Sequence, residues 1–370
     1  MNRSITLQTS VSKAFLSQAL GLSFDRAYYF DPVRRHEIDA RCHDYVNTKL
    51  GCLDAFHTES NLGRKPFFDP SQVLVGGIQP NLIIGMLLGA EFIPTPHGDA
   101  DISPACWANK PLEDLPRPEK LLEHPLIRQF DDQIRLVQQN PRWQAIPPFF
   151  WDASGRPAIH GALTTAQKFF GEEVLLDLLE EPEFVLKAMS WITEANIVLV
   201  RHFAELAGME IREVHVGECS SCMVGAVEWE GFVSPTLERI GKELGLVRLH
   251  SCGPSNHLLA SARKIKALGG LDLGGETSLA RVRELFGRHF PVSIAPPVKL
   301  LIGGSLDALW EWTQNVLTDN QYGELVILYH LEPAYPPAVL QQWREKLLQS
   351  TSMGAECYSV PSANAFSRRD

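Results

Sequence analysis

Short β-rich runs alternate with longer amphipathic runs from residue 73 to near the end of the chain. This alternation is typical of βαβ units, in which helices cover a sheet of parallel strands. The intervening runs have helical spacing, and the longest, residues 182–207, opens with a proline and acidic residues. The eight candidate strands are residues 73–78, 90–93, 158–163, 213–217, 246–250, 270–273, 292–295 and 325–329. The pattern therefore predicts an α/β fold with a parallel sheet.

Eight such strands can close into a (β/α)8 barrel or form an open doubly wound sheet. Glycine-rich phosphate loops favour the open sheet, but neither GxGxxG nor GxxxxGK[ST] follows a candidate strand. We therefore predict a (β/α)8 TIM barrel over residues 71–370. Apolar residues at helical spacing precede it, so we predict an N-terminal helical extension over residues 1–70, with one domain overall.

Charge and hydropathy limit the classes of partner. The formal net charge is −10 and the basic residues form no run, which disfavours a nucleic-acid partner. No segment approaches the ~20 apolar residues that cross a bilayer, and no apolar signal core opens the chain. The seven cysteines are an odd, scattered set, which indicates free thiols in a reducing compartment. We expect a cytoplasmic protein with a small-molecule or protein partner, and leave open whether it is a homodimer.

Metal-binding side chains follow two neighbouring candidate strands. The fourth strand runs into Glu218 and Cys219, and the fifth ends in His250-Ser-Cys252. In a barrel, the carboxyl ends of the strands form the active face. Because residues two apart in extended chain project to one side, His250 and Cys252 can reach one ion. Imidazole, thiolate and carboxylate are all zinc ligands, although a buried histidine beside a buried thiol is an equally simple interpretation.

The Cys219-Ser-Ser-Cys222 segment has three interpretations: a redox pair, two zinc thiolates beside His250 and Cys252, or no shared role. A redox CxxC should open a helix after the first strand of a small fold, which is not its position here. We favour an incidental or auxiliary pair. The remaining cysteines are expected to be structural thiols: Cys42, Cys52, Cys106 and Cys357.

A second polar segment, His97-Gly-Asp99-Ala-Asp101, follows the second candidate strand. His97 and Asp99 are candidate catalytic residues at the same mouth, and a solvated turn is the alternative interpretation. The Pro-rich residues 99–149 that follow are interpreted as a long excursion between strands, which can act as a lid.

The order of segments over residues 73–348 resembles the uroporphyrinogen decarboxylase superfamily. The resemblance is carried by Gly161-Ala-Leu-Thr-Thr-Ala-Gln-Lys-Phe-Phe-Gly171, by Phe232-Val-Ser-Pro235 and, most specifically, by Leu249-His-Ser-Cys-Gly253. The superfamily includes a decarboxylase of haem synthesis and zinc-dependent methyltransferases that take methyl groups from corrinoid proteins. The HxC motif is closer to the methyltransferase branch.

That resemblance implies a zinc site with one ion per chain. His250 and Cys252 match the HxC ligands, and His330 stands where the branch has a downstream cysteine. It also implies that Glu218 completes the ligand set and serves in catalysis. The cofactor-binding residues are predicted to be Asn81, after the first strand, and Tyr329, at the end of the eighth.

The resemblance thus implies a zinc-dependent methyltransferase whose partners are a methylated corrinoid protein and a small thiol acceptor. One alternative is a cofactor-free decarboxylase that uses Asp99 or Asp101 as an acid. The chain lacks the Arg-rich segment of that branch, since its nearest cluster is Arg34-Arg35, and a substrate with many carboxylates needs several convergent arginines. A third alternative is a barrel that binds a corrinoid or tetrapyrrole without catalysis.

Overall fold

The structure is a computed structural model that describes residues 5–49, 69–321 and 323–350. The strands are β1 Ile5–Val11, β2 Gln72–Leu74, β3 Phe92–Ile93, β4 Asp101–Ile102, β5 Gln144–Ile146, β6 Ala158–His160, β7 Glu213–Gly217, β8 Leu246–Ser251, β9 Leu268–Leu273, β10 Val292–Ile294 and β11 Leu325–Leu331. The helices are α1 Lys13–Leu20, α2 Arg26–Phe30, α3 Pro32–Lys49, α4 Pro80–Leu87, α5 Pro125–Gln138, α6 Ala162–Phe170, α7 Val174–Glu180, α8 Pro182–Ala207, α9 Ala226–Glu228, α10 Ser234–Leu244, α11 Leu259–Ala262, α12 Leu279–Phe286, α13 Val298–Gly303, α14 Leu306–Asp319 and α15 Pro337–Ser350.

Seven parallel strands form the main sheet in the order β1-β11-β10-β9-β8-β7-β6. Strands β2 and β5 form a separate parallel pair. Helices connect the parallel strands, so the predicted α/β architecture is confirmed. Among the residues that the structure describes, the strand ladders do not join the edges of the main sheet into a closed ring.

The structure differs from the sequence prediction in two segments. Residues 5–11 belong to the predicted N-terminal helical extension, in which the sequence analysis assigned no strand; they form β1 and pair with β11 from Ile5↔Leu325 to Val11↔Leu331. The N-terminal segment therefore contributes a strand to the sheet besides helices α1 to α3, while residues 1–4 and 50–68 lie outside the described residues. The predicted strand 90–93 is reduced to β3, which pairs antiparallel with β4 outside the main sheet.

The two ends of helix α8 and its buried face follow from its sequence. Pro182 occupies the first helical turn, where its missing N–H leaves no hydrogen bond unmade, and Gly208 ends the helix with a left-handed φ of 67°. Buried residues recur every three or four positions, among them Val185, Ile192 and Leu199. This spacing places an apolar stripe along one face, which packs on α6 and α10.

The Pro-rich excursion has more order than the sequence predicts. It contains the 14-residue helix α5, whose buried face includes Ile127, Phe130 and Ile134, and the short strand β5. Phe130 lies in the hydrophobic core and contacts Phe203 of α8, with ring centroids 6.3 Å apart. At least this part of the excursion is packed into the body of the fold.

None of the helices in the described part of the chain is long and apolar enough to cross a membrane.

Candidate metal centre at the carboxyl ends of the strands

The register between β7 and β8 brings two polar segments together. Gly217 pairs with His250, and the Glu218 N–H donates to the His250 carbonyl oxygen at 2.9 Å. The chain then enters a 3-10 turn at Cys219, next to Cys252. The side chains that follow these neighbouring strands therefore meet at one point.

Three metal-ligand atoms converge there. One atom each from Cys219, His250 and Cys252 lies within 4.8 Å of the other two. Cys252 is exposed, whereas Cys219 and His250 are partly buried. The cluster is consequently open to solvent on the Cys252 side.

The electrostatics favour an anionic sulfur at Cys252. Hydrogen bonds from the Cys219 thiol and from His250 lower the pKa of Cys252 to about 4. The same interaction, together with burial, raises the pKa of Cys219. Burial lowers the pKa of His250, but Asp272 and Cys252 outweigh it and raise that pKa to about 9. One thiolate beside an imidazolium is the resulting charge state, and a cation that displaces the protons would meet two sulfurs and a nitrogen.

The donor set fits zinc. A tetrahedral ion with sulfurs at about 2.3 Å holds two of them roughly 3.8 Å apart. The observed spread, within 4.8 Å, needs only small side-chain rotations to reach that geometry. Three protein ligands with a fourth position open are typical of catalytic rather than structural zinc.

A second, buried group shares His250. Ligand atoms of His215, His250 and Asp272 also lie within 4.8 Å of one another. The His250 Nδ1 is 3.3 Å from Asp272 Oδ2, and Arg248 lies at the same distance from that oxygen. Burial and the nearby Arg248 lower the pKa of His215, so its ring is neutral. Unlike the open cluster, this group is shielded from solvent, because His215 and Asp272 are almost fully buried.

Glu218 has a different environment from the one predicted. Its fully buried carboxylate accepts hydrogen bonds from the Thr164 N–H and the Thr164 hydroxyl, both at 2.7 Å, and from the Leu163 N–H at 3.3 Å. These donors lie in the first turn of α6, where an anion is favoured. Glu218 is absent from the ligand clusters of the described residues. Its predicted roles as ligand and catalyst stay predictions.

Glu218 should make the stability of the metal-free protein depend on pH. Burial, opposed by the hydrogen bonds from α6, raises its pKa from 4.5 to about 7. Between these values the folded protein holds a proton that the unfolded chain has released, so its free energy of unfolding falls as pH rises through the window. The shift corresponds to about 3 kcal/mol. Glu218→Gln should lose this slope in urea unfolding measured from pH 5 to pH 8.

Glu119→Gln, at an exposed site, is the matched control and should keep the wild-type slope. Equal slopes for wild type and Glu218→Gln would show that Glu218 does not titrate in this range.

His330 lies on β11, which is two strands away in the sheet from β9, the strand that carries Asp272. A hydrogen bond joins its Nδ1 to the Ser10 hydroxyl on β1. Burial lowers the pKa of His330, the charge of Asp272 raises it and that of His250 lowers it further. It is not among the grouped ligand atoms of the described residues, and its predicted role as a zinc ligand stays a prediction.

The predicted catalytic pair His97 and Asp99 lies beside α1. The His97 Nδ1 is 2.7 Å from the Ser17 hydroxyl, and Asp99 accepts a 2.9 Å hydrogen bond from the buried Lys13. Lys13 lowers the pKa of Asp99. Asp99 is thus an ion-paired carboxylate, which does not favour its use as the acid of a decarboxylase. Its predicted role in catalysis stays a prediction.

The two predicted cofactor-binding residues are both buried. Asn81 lies in the first turn of α4, and its Oδ1 has no hydrogen-bond partner among the described residues. Tyr329 packs edge-on against Trp343 of α15, with ring centroids 5.4 Å apart. This contact places Tyr329 between β11 and α15, and the predicted roles of Asn81 and Tyr329 in cofactor binding stay predictions.

The structure adds two residues that the sequence analysis did not assign. Cys219, favoured as incidental, is part of the open cluster, whereas its CxxC partner Cys222 is not. Asp272, which had no predicted role, contacts His250 from the next strand. Of the cysteines predicted to be structural, Cys42 is a buried free thiol and Cys106 a partly buried one. Cys52 and Cys357 lie outside the described residues.

No protein-family model and no curated protein matches the chain. Among solved structures, it is similar to a methyltransferase from Methanosarcina mazei, with 16% sequence identity and a TM-score of 0.61. The similarity covers 94% of this chain and 94% of the methyltransferase. Predicted membership of the uroporphyrinogen decarboxylase superfamily stays a prediction. What the comparison shows is that this chain shares the fold of that methyltransferase over nearly its whole length.

Proposed function

We propose that the protein is a zinc-dependent methyltransferase that moves a methyl group from a methylated corrinoid protein to a small thiol. The observation that carries the proposal is the convergence of Cys219, His250 and Cys252 at the carboxyl ends of β7 and β8. The fold shared with a methyltransferase supports the reaction class. A cytoplasmic location and one ion per chain belong to the same proposal.

In this proposal Cys219, His250 and Cys252 would hold the zinc ion, and a substrate could reach the cluster from its exposed Cys252 side. When bound, the ion lowers the pKa of a thiol substrate, so that the thiolate exists at neutral pH. His330 and Glu218 are the further ligands that the resemblance implies. Each would have to leave its present hydrogen bonds, to Ser10 and to α6 respectively, before it could bind the ion.

The substrate sulfur forms a bond to the methyl carbon while the cobalt–carbon bond of the donor breaks, and the bonding electron pair stays with the corrinoid. The proton released by the thiol leaves to solvent through the exposed side of the cluster. The chain's contribution is to hold two sulfurs and one nitrogen in a fixed array.

The zinc content of two variants, each lacking one cysteine of the same CxxC segment, tests the proposal. The purified wild-type protein should contain about one zinc ion per chain. Cys219→Ala removes one of three ligands and should lose the zinc, whereas Cys222→Ala should keep it, because Cys222 is outside the cluster. Elemental analysis after dialysis against a weak chelator measures both. Zinc loss in the Cys222 variant alone, or a metal-free wild-type protein, would overturn the assignment of ligands.

Activity separates the proposal from its alternatives. The zinc-loaded protein should methylate a thiol with free methylcobalamin as donor, read as the thioether product by mass spectrometry. Carbon dioxide release from uroporphyrinogen without zinc would identify a decarboxylase instead. Tight binding of a corrinoid or tetrapyrrole with no product would identify a binding protein.

A further inference from the structure

Asp272 is a buried carboxylate directly behind the proposed zinc ligand His250. The two residues pair in register across β8 and β9, and Asp272 is 1% exposed. Its Oδ2 lies 3.3 Å from His250 Nδ1. Within the described residues that ring nitrogen has no hydrogen-bond partner, so the carboxylate is the polar group placed to receive it.

Asp272 is itself held in place. Arg248, two residues before His250 on β8, lies 3.3 Å from the same Oδ2. Arg248 also donates a 2.7 Å hydrogen bond to Ser293 on β10. An ion pair therefore links the carboxylate on β9 to Arg248 on β8, which is hydrogen-bonded to β10, and side chains on strands are positioned more precisely than those on loops.

The buried group of His215, His250 and Asp272 also has the residue types of a metal site. A divalent cation bound there would lie next to the Arg248 guanidinium, which already contacts the carboxylate. In the low dielectric of the interior, two such cations at contact distance repel strongly. The arrangement instead fits a histidine that binds a metal through one nitrogen and directs the other to a carboxylate.

We propose that Asp272 is the positioning residue of the metal centre, fixing the His250 ring so that its other nitrogen faces Cys219 and Cys252. This inference rests on the proposed zinc site. A carboxylate behind a metal-binding histidine sets the ring orientation and raises the basicity of the ligand nitrogen. Asp272 acts only through His250 and does not touch the ion or the substrate.

Asp272→Asn keeps the shape of the side chain and removes its charge. Zinc affinity, measured by competition with a chromophoric chelator, should fall on the order of 10- to 100-fold. The absorption spectrum of the cobalt(II)-loaded protein should also change, because the spectrum reports the orientation and basicity of the imidazole ligand. A purely structural role for Asp272 would leave the spectrum of the folded variant unchanged.

Asp131→Asn is the matched control. Asp131 is also buried and paired with a histidine, since its Oδ1 lies 2.8 Å from His202 Nε2 between α5 and α8. The substitution removes the same charge from the same kind of pair away from the cluster. It should leave zinc affinity and the cobalt spectrum as in wild type.

A double variant tests whether an unpaired Arg248, rather than the loss of the carboxylate charge, weakens zinc binding in Asp272→Asn. Arg248→Gln combined with Asp272→Asn removes both charges and should bind zinc as weakly as Asp272→Asn alone. Recovery of wild-type affinity in the double variant would overturn the inference.

Equal zinc affinity and equal cobalt spectra for wild type and Asp272→Asn would also overturn the inference, while the zinc site would stand. Weakened binding in Asp272→Asn, with no methyl transfer by the wild type, would overturn the proposed reaction and leave the positioning role intact. A wild-type protein that binds neither metal would overturn both.

Discussion

Cys252→Ala is expected to abolish the stabilisation that zinc gives to the wild-type protein. An ion that binds only the folded state raises the free energy of unfolding by about 4 kcal/mol when its free concentration is 1,000 times the dissociation constant. Cys252 supplies the sulfur whose pKa is lowered to about 4, so its thiolate is present at neutral pH without the ion. Loss of this ligand should move the dissociation constant above the zinc concentration used. Urea unfolding at a buffered zinc concentration measures the difference.

Cys106→Ala is the control for this experiment. Cys106 is a partly buried thiol outside the ligand cluster, so the variant loses a free thiol that is not a ligand and should keep the zinc-dependent rise in stability. Methyl transfer should disappear in Cys252→Ala and persist in Cys106→Ala. If zinc still stabilised Cys252→Ala as much as the wild type, the assignment of the zinc site to this cluster would be wrong.

The strands of the main sheet were largely predictable because buried parallel strands are short apolar runs between helices. Strand β1 escaped prediction although its signal is present. Ile5, Leu7 and Val11 fall at alternate positions of the segment, a pattern interrupted only at Thr9, as in a half-buried strand. The segment stands alone before three helices, and its partner β11 lies about 320 positions later, as the Ile5↔Leu325 pairing shows. Pairing over such a distance is not visible in a local pattern.

The candidate site, like the sheet, was predictable only where the signal lies within a single segment of the chain. The HxC spacing predicts that His250 and Cys252 point the same way, because that prediction depends on a single strand. The part played by Cys219 depends on the register of β7 against β8, and that of Asp272 on the register of β8 against β9. A shift of one residue in either ladder would turn these side chains to the opposite face. The sequence alone does not specify the register, so it left Cys219 undecided and Asp272 unassigned.

Gly161→Ala is expected to destabilise the protein by about 3 kcal/mol, near the upper end of the range for overfilling a packed interior. Gly161 precedes α6 with a φ of −62°, which alanine adopts readily, so the backbone itself is not strained by the substitution. A Cβ at this position would lie 1.9 Å from Glu218 Oε2 and 2.3 Å from its Cδ. The buried carboxylate would have to move off the donors of α6, which would then be left without an acceptor. Urea unfolding at pH 7 measures the loss.

Two further variants identify the overlap with Glu218 as the cause. Gly231→Ala is the matched control, since a Cβ there meets no atom within 4 Å, and it should leave stability unchanged or slightly higher. Glu218→Asp shortens the side chain and should make the alanine at position 161 less harmful. The loss on Gly161→Ala should therefore be smaller in the Glu218→Asp background than in wild type, because residues in contact are not additive. An identical loss in both backgrounds would mean that the contact between Gly161 and Glu218 does not determine this part of the fold.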